Sequence, residues 1–433
     1  MATLITAPSR PKIPDDIAQI VIAPKSYADD KVIYPAFKWL RENMPLGIAE
    51  VDGYDPLWIV TKNADIKLIE RDAKLFHSGD HNAVLTTQAG DAFTRSMNNG
   101  SLRVISSLTY MDPPEHGAFR SITSNWFLPG RISKLEEQIR VLARRSVDHL
   151  LSFDGECDFV QDFALHYPLR VIMTLFGVPP EDEPRMLKLT QEFFGVHDPE
   201  EQRPEMIDDP VAAAKMWYAS LQDFYGYFDD LSAERRRNPT DDLLSLIANS
   251  QVNGKPIPRE EANGYYVAIA TAGHDTTSST TAGGMHGMAS FAGQFDIVKA
   301  DPAMIKPMIE EALRWACPVK HFMRNATADT EVRGQSIGAM DRLMMCYPSG
   351  CRDEDVFTDP DTFDVRRTPN SHIAFGFGPH MCLGQHLAKL EMRVLFEELM
   401  PHLESVELAG APKMVETNFV GGYKKLPIRF RKK

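Results

Sequence analysis

Cysteine is scarce in this chain of 433 residues, and the five cysteines that occur are widely spaced. No two of them form a Cys-x-x-Cys pair, which excludes a thioredoxin motif and a zinc ribbon. Their odd number and scatter also exclude the disulfide framework of a small secreted domain. The chain further lacks a four-cysteine iron–sulfur arrangement and a Gly-x-Gly-x-x-Gly dinucleotide fingerprint. We therefore expect no electron-carrying cofactor of either kind within the chain itself.

Long hydrophobic runs and an excess of positive charge are also missing. No stretch of about 18 uninterrupted apolar residues occurs, and the N-terminus lacks the basic start and apolar run of a secretory signal. Lys and Arg number 47 against 60 Asp and Glu, so the formal net charge is −13. Binding of nucleic-acid phosphates needs clustered cations. We therefore expect a cytoplasmic protein that binds neither nucleic acid nor a membrane.

Helical periodicity is the main pattern that the chain does contain. Hydrophobic residues make up 43% and charged residues 25%, which is typical of globular proteins. A helix is expected near 31–46. From residue 131 onward the apolar spacing predicts helices over 132–152, 161–176, 183–195, 211–237, 241–250, 258–292, 303–316 and 384–402. Short strand-like runs occur at 57–61, 330–333 and 427–430.

The pattern predicts one domain over residues 1–433 that is mainly α with a minor β region. No internal repeat and no Pro/Ser/Gly-rich linker divides the chain. Three prolines within residues 1–14 indicate a loose N-terminal arm. Residues 78–110 are polar and weakly periodic, and such a long irregular stretch is usually functional or mobile.

The most informative segment is a loop with the pattern Phe375-x-x-Gly378-x-x-x-Cys382-x-Gly384. A periodic helix follows it at once, so Cys382 is expected at a helix N-terminus, where the dipole favours an anion. Glycines let backbone N–H groups approach the sulfur and tune a thiolate toward a metal. The alternative interpretation is a buried, inert cysteine in a loop that starts a helix.

A second segment, 270–277, is a run of small residues inside a long predicted helix. It ends in the acid–alcohol pair Asp275-Thr276. A threonine hydroxyl can bond back to the carbonyl one turn earlier, and small side chains leave room beside the helix for a flat cofactor. The pair could then relay protons through water. The alternative is small-residue packing against a neighbouring helix, and the intervening His274 is assigned no role.

Together these two segments resemble the signatures of the cytochrome P450 monooxygenases. The resemblance implies the P450 fold, haem b as cofactor, Cys382 as the thiolate ligand of its iron, and oxygen activation through Asp275 and Thr276. It also implies a structural triad of Glu311, Arg314 and Arg367. The residues that the resemblance assigns to haem binding are His116, Arg120, Arg324, Phe375, Gly378, His380, Cys382 and Gly384.

Further runs at 27–30, 319–324 and 418–422 resemble the branch of the family that contains α-terpineol hydroxylases. This implies hydroxylation of a small hydrophobic monoterpenoid or alkyl-aromatic compound, such as α-terpineol or p-cymene. By family position the pocket walls would come from 78–110 and from Ala268, Thr271, Ala272, Val319, Phe322, Phe419 and Val420. Larger aromatic hydrocarbons remain an alternative substrate class.

The resemblance also implies an external electron source: a 2Fe–2S ferredoxin with an NAD(P)H-dependent ferredoxin reductase. Lys389 and Arg393 are candidate docking cations near the thiolate. Two other functional classes stay open at this point. One is a haem-thiolate sensor without catalysis, and the other is a cysteine hydrolase that pairs Cys382 with His380 or His386.

Overall fold

The computed structural model describes residues 10–200 and 211–433. Helices dominate these two ranges. The α-helices are Asp15–Ile22 (α1), Asp30–Asn43 (α2), Asn63–Arg71 (α3), Gln88–Met97 (α4), Glu115–Ser124 (α5), Pro129–Ile132 (α6), Glu136–Ser152 (α7), His166–Phe176 (α8), Glu183–Phe194 (α9), Ala212–Arg237 (α10), Leu243–Ala248 (α11), Arg259–Ser290 (α12), Gln294–Ala300 (α13), Ile305–Ala316 (α14), Tyr347–Gly350 (α15) and Gln385–Leu399 (α16).

The β structure is small and, within the described ranges, is divided among five separate sheets. Its strands are Leu46–Ala49 (β1), Leu57–Val60 (β2), Phe76–His77 (β3), Glu156–Asp158 (β4), Gln251–Val252 (β5), Lys255–Pro256 (β6), His321–Ala326 (β7), Thr330–Val332 (β8), Gln335–Ile337 (β9), Arg342–Cys346 (β10), Leu403–Leu408 (β11), Lys413–Met414 (β12), Tyr423–Lys425 (β13) and Pro427–Lys432 (β14).

The largest sheet has five strands in the order β1-β2-β10-β7-β3, with β10 parallel to β2 and the other pairs antiparallel. A three-stranded sheet follows the order β11-β14-β4, and the remaining strands form two-stranded ribbons. The prediction of a mainly α chain with a minor β region is confirmed.

Two predictions about irregular segments differ from the structure. Residues 78–110 contain the ten-residue helix α4, whose N-terminus is capped by the Thr87 hydroxyl accepting from the Gly90 N–H at 3.0 Å. The loose-arm prediction is wrong for the end of its range, because the Ile13 side chain is fully buried and the Ile13 N–H donates to the Ile48 carbonyl at 2.8 Å. Residues 1–9 of that arm lie outside the described residues.

Helix α12 is the central element, and it packs against α8, α9, α10, α14 and α16. Its small residues permit close approach: a Cβ on Gly264 would lie 2.3 Å from the Ser106 carbonyl oxygen. The helix continues through all of its threonines without a break. No helix in the described ranges combines the length and apolar character needed to cross a bilayer.

The predicted triad of Glu311, Arg314 and Arg367 comes together in the structure. Glu311 accepts from Arg314 Nε and Nη2 at 2.8 Å and from Arg367 Nε at 3.1 Å, and Glu311 and Arg314 are fully buried. The Glu311 carboxylate also accepts from the Asp364 N–H at 2.9 Å. These bonds tie α14 to the chain that leads into the cysteine loop. Removing one partner of such a buried pair typically costs about 3–5 kcal/mol, because the other charge is left uncompensated.

Candidate active site

A cavity of about 260 Å³ lies between α12 and the cysteine loop. Cys382, Leu383 and Gly384 line one side of it. Most of the other lining side chains are apolar. From α12 the lining residues are Tyr265, Ala268, Ile269, Ala272, Gly273, Thr276, Thr277 and Thr280. The cavity therefore brings the candidate metal ligand to the small-residue face of the central helix.

The cysteine loop is held in shape by its backbone. The Cys382 N–H donates to the Phe375 carbonyl at 2.8 Å, which closes the loop. Gly378 has φ +68°, and a Cβ there would lie 2.3 Å from the Glu70 carbonyl oxygen, so only glycine fits. Helix α16 begins at Gln385, which places the Cys382 sulfur at a helix N-terminus.

The sulfur of Cys382 is partly stabilised as an anion. Burial raises the pKa of the Cys382 thiol above its usual value, and hydrogen bonds from the Gly384 and Gln385 backbone N–H groups and the charge of Arg120 offset this only in part. A cation placed against the sulfur would complete this arrangement, since a metal deprotonates a coordinating thiol. The site is thus built for a thiolate that has a metal partner.

One end of the cavity is lined by two cations and two imidazoles: Arg120, Arg324, His116 and His380. The His116 and His380 rings lie 4.2 Å apart. Burial, with the nearby Arg120 charge, lowers the pKa of His116 to about 4. Burial and the Arg324 charge lower the pKa of His380 to about 2. Both rings are therefore neutral N–H donors at neutral pH in this structure.

This donor set fits a flat cofactor that carries two carboxylates and a metal. The Nε2 atom of His116 is buried and has no hydrogen-bond partner within the described ranges. The space where a Gly384 Cβ would lie is open. Arg120 Nη2 donates to the Met381 carbonyl at 2.7 Å, which holds one guanidinium beside the cysteine. Haem, with its two propionates, matches the cations, the unpartnered imidazole nitrogen and the single sulfur.

Three buried polar residues of the cavity, Glu70, Tyr347 and Glu391, were not predicted from the sequence. Glu70 Oε1 accepts from Arg324 Nη2 at 3.2 Å and from the Tyr347 hydroxyl. Burial raises the pKa of Glu70, against the opposing effect of the Arg324 charge. On α16, Glu391 accepts from the Thr277 hydroxyl at 3.1 Å, and burial raises the pKa of its carboxyl well above the usual value. Single acidic residues within amphipathic helices give no sequence signal for such a position.

The acid–alcohol pair is divided between two cavities. Thr276 lines the large cavity, and its hydroxyl donates to the Ala272 carbonyl at 2.6 Å. Asp275 instead lines a second cavity of about 50 Å³, together with Gln161, Ser279 and Lys424. Consecutive residues of a helix point about 100° apart, so this separation follows from the helix itself.

The predicted pocket residues also divide into two groups. Ala268, Ala272, Val319 and Phe322 line the large cavity. Thr271, Phe419 and Val420 do not: the Thr271 hydroxyl donates to the Val267 carbonyl at 2.8 Å, Phe419 packs behind Phe322, and Val420 lines the second cavity. Of residues 78–110, only Leu108 and Thr109 contribute to the wall.

The two candidate docking cations are both held in ion pairs. Lys389 Nζ lies 2.8 Å from Glu310 Oε1, and Arg393 bridges Glu136 and Glu397 at 2.7 and 2.8 Å. The hydrolase interpretation also lacks support. His386 is exposed and does not line the cavity, and no hydrogen bond joins Cys382 to His380 within the described part of the chain.

Comparison with known proteins agrees with this geometry. The cytochrome P450 family model matches residues 303–428. Cytochrome P450-terp from a Pseudomonas species is 55% identical over 427 residues, covering 98% of this chain and 99% of the relative. Linalool 8-monooxygenase from Pseudomonas putida is 31% identical, covering 92% of this chain and 95% of the relative.

The crystal structure of CYP108D1 from Novosphingobium aromaticivorans superimposes with a TM-score of 0.90 at 40% identity, covering 98% of this chain and all of that one. The P450 fold is thereby confirmed, and with it an iron cofactor of the haem-thiolate type. Since the similarity spans nearly the whole chain, the protein belongs to the cytochrome P450 family and is a cytochrome P450 monooxygenase.

Proposed function

We propose that this monooxygenase binds haem b through the Cys382 sulfur and hydroxylates a small hydrophobic terpenoid, such as a monoterpene alcohol. The observation that carries the proposal is the apolar cavity that sets Cys382 against Ala272 and Thr276 of α12. Haem with a thiolate ligand supplies the activation of dioxygen and the insertion of one oxygen atom into a C–H bond. The chain's own residues supply the sulfur ligand of the iron, the path for protons and the apolar walls that exclude water.

The propionates would be held by His116, Arg120, Arg324 and His380. Two guanidinium groups and two neutral imidazoles offer enough donors for two carboxylates. Glu70 pairs with Arg324 in this structure, and its buried carboxyl carries a raised pKa. In its protonated form Glu70 adds no negative charge beside the propionates.

Proton delivery is proposed to run through Asp275 and Thr276. The Thr276 hydroxyl gives its hydrogen to the Ala272 carbonyl, so its oxygen is left free to accept a hydrogen bond from the cavity side. Asp275 reaches the second cavity, where it can exchange protons with water. These two consecutive residues of α12 therefore connect the second cavity, lined by Asp275, to the large apolar cavity, lined by Thr276.

The walls indicate how a substrate would be held. Val319, Phe322, Ile172 and Ala268 provide apolar contact, and Thr109 offers one hydroxyl near them. Apolar walls with few polar groups are typical of sites for small hydrophobic ligands. The names of two relatives, P450-terp and linalool 8-monooxygenase, support a terpenoid.

Electrons are proposed to come from a 2Fe–2S ferredoxin served by an NAD(P)H-dependent reductase. Lys67 Nζ and the Arg71 guanidinium lie 5.9 and 5.4 Å from the Phe377 ring on the cysteine loop. Lys389 lies equally close to the loop, 5.4 Å from the Phe375 ring, but it is held in an ion pair with Glu310. Charge reversal at Arg71 should reduce the ferredoxin association rate and its salt dependence, and an unchanged rate would remove Arg71 from the interface.

The test of the substrate class is a spectral titration. Haem-loaded protein is titrated with monoterpene alcohols, alkylbenzenes and polycyclic aromatics, and the change of iron spin state gives a dissociation constant for each. Products are then identified in a system reconstituted with ferredoxin and reductase. Tightest binding and hydroxylation of a monoterpenoid supports the proposal. A clear preference for polycyclic aromatics would falsify it.

A further inference from the structure

His274 is a fully buried histidine inside α12 to which no function has been assigned so far. Its Nε2 lies 2.8 Å from the carbonyl oxygen of Leu165, just before α8. Its Nδ1 lies 2.9 Å from the Thr190 hydroxyl on α9. The side chain has no exposed surface. The ring thus sits between three helices, with both nitrogens engaged.

Counting hydrogens at these contacts links the protonation state of His274 to the direction of the Thr190 hydroxyl hydrogen. A carbonyl oxygen can only accept, so Nε2 carries a hydrogen. The Thr190 hydroxyl has one hydrogen, and its oxygen lies 3.0 Å from the Leu187 carbonyl in donor geometry. If that hydrogen goes to Leu187, the Thr190 oxygen accepts from His274, and Nδ1 carries a hydrogen as well. Both ring nitrogens are then protonated and the ring is a cation.

A negative charge is in place to balance such a cation. Asp275 Oδ2 lies 3.4 Å from His274 Nδ1. This oxygen is buried and has no hydrogen-bond partner among residues 10–200 and 211–433. A buried carboxylate oxygen without a partner is costly, whereas one beside an imidazolium is compensated.

The charges around the ring act in the same direction. Burial lowers the pKa of His274, but the Asp275 charge and hydrogen bond, the bond to Leu165 and the Glu183 charge together raise it above the usual value. Glu183, at the start of α9, is itself held by His166 and Arg170 at 3.1 and 2.9 Å. Lys424, which shares the second cavity with Asp275, is bonded to Asp198 at 3.0 Å.

We propose that His274 is a buried imidazolium that positions Asp275: the ion pair holds the carboxylate toward the second cavity, where it collects the protons that pass to Thr276. His274 touches neither the large cavity nor any reacting atom, so it is a positioning residue. The inference rests on the proton route proposed above. It adds the reason why the Asp275 side chain keeps its orientation although it is largely enclosed.

The ion pair can be tested without turnover. Haem-loaded protein labelled with ¹⁵N-histidine is studied as its diamagnetic ferrous carbonyl complex, and the His274→Gln variant assigns the His274 signals by their loss. We expect both ring nitrogens to be protonated at pH 7. In Asp275→Asn, no carboxylate opposes the effect of burial on the His274 ring. The midpoint of the His274 titration should therefore fall by about one to two pH units. A neutral ring at pH 7, or a midpoint unmoved by Asp275→Asn, overturns the proposal.

Thr190→Val is the matched control for that experiment. It removes the hydroxyl contact and keeps the volume, so His274 should stay protonated at pH 7 through Asp275 alone. If the His274 ring loses its charge in Thr190→Val, the threonine and not Asp275 maintains that charge. This outcome would contradict the proposed ion pair of His274 and Asp275.

A second readout separates positioning from support of the fold. His274→Gln should leave the carbonyl spectrum and substrate affinity unchanged. It should raise the fraction of electrons lost to peroxide about threefold or more and alter the pH profile of product formation. An unchanged pH profile and coupling overturns the positioning role. If Asp275→Asn itself leaves turnover intact, the proton route of the proposed function fails, even where the ion pair is present in the NMR spectrum.

Discussion

The two cavities on either side of α12 differ in size, lining and chemical content. The large one holds Cys382 and is mostly apolar, whereas the small one holds Asp275, Gln161 and Lys424. Thr276 and Asp275 are neighbours in sequence and face different cavities. The comparison shows that one helix separates a mostly apolar space beside Cys382 from a smaller space that includes charged side chains.

This separation has a chemical advantage. A site that excludes water strengthens electrostatic interactions and limits side reactions. The same exclusion leaves no free supply of protons inside it. In the proposed route, a carboxylate in the second cavity and an alcohol in the apolar one would resolve this conflict, because only protons need to cross. Variants that alter one cavity alone should therefore give distinct defects.

The largest effect is expected from Cys382→Ala, which removes the sulfur from the large cavity. The thiolate-type ferrous–carbonyl absorption band should disappear entirely, because no other thiol lines that cavity among the described residues. The spectrum of the reduced carbonyl complex measures this. Cys351→Ala is the control, since that buried cysteine lies outside the cavity lining. A retained band in Cys382→Ala would refute the ligand assignment.

Asp275→Asn changes the polar cavity and leaves the apolar one intact. Product formation should slow by about 10²-fold, the scale of a lost acid–base group, and the solvent hydrogen-isotope effect should grow. Substrate dissociation constants should not change, because Asp275 does not line the large cavity. A variant that turns over at the wild-type rate would show that the polar cavity supplies no protons.

Thr276→Ala tests the step between the cavities. Loss of one hydrogen-bonding group at the reacting centre should lower the yield of product per NADH or NADPH by about tenfold, with peroxide made instead. Haem content and substrate binding should stay close to wild type. Thr271→Ala is the matched control, since that hydroxyl bonds to the Val267 carbonyl and to no other group in the part of the chain that the structure describes. Equal coupling in the two variants would remove Thr276 from the route.

The smallest effect is expected from Phe322→Ala, which enlarges the apolar cavity. Loss of apolar contact worth about 1 kcal/mol should weaken binding of a monoterpenoid by about fivefold and favour bulkier ligands. Spectral titration measures both. Phe419→Ala is the comparison, because Phe419 packs behind Phe322 with ring centroids 5.5 Å apart and does not line the cavity. A larger shift in Phe419→Ala than in Phe322→Ala would contradict this account of the wall.

Helical phase explains which pocket predictions the structure supports. Ala268, Ala272 and Thr276 recur every four residues and line the large cavity together. Thr271 and Asp275 are also four apart and share the other face. The four-residue spacing in the sequence therefore already indicates that Thr271 does not line the large cavity. No comparable signal was available for Phe419 and Val420, whose positions depend on how the C-terminal turn meets β7 and α9.

Sequence alone determined the cysteine loop, the course of the long helices and the small-residue face of α12, because each of these depends on residues that are adjacent or at regular spacing. Only the tertiary structure decided that His116 and Arg120 of α5, Arg324 of β7 and His380 meet at one end of the cavity and that Glu70 joins them there. It also decided that Glu391 of α16 lines the cavity beside Thr277. Such contacts form between residues up to hundreds of positions apart, and burial and charge act on them only once the helices have packed.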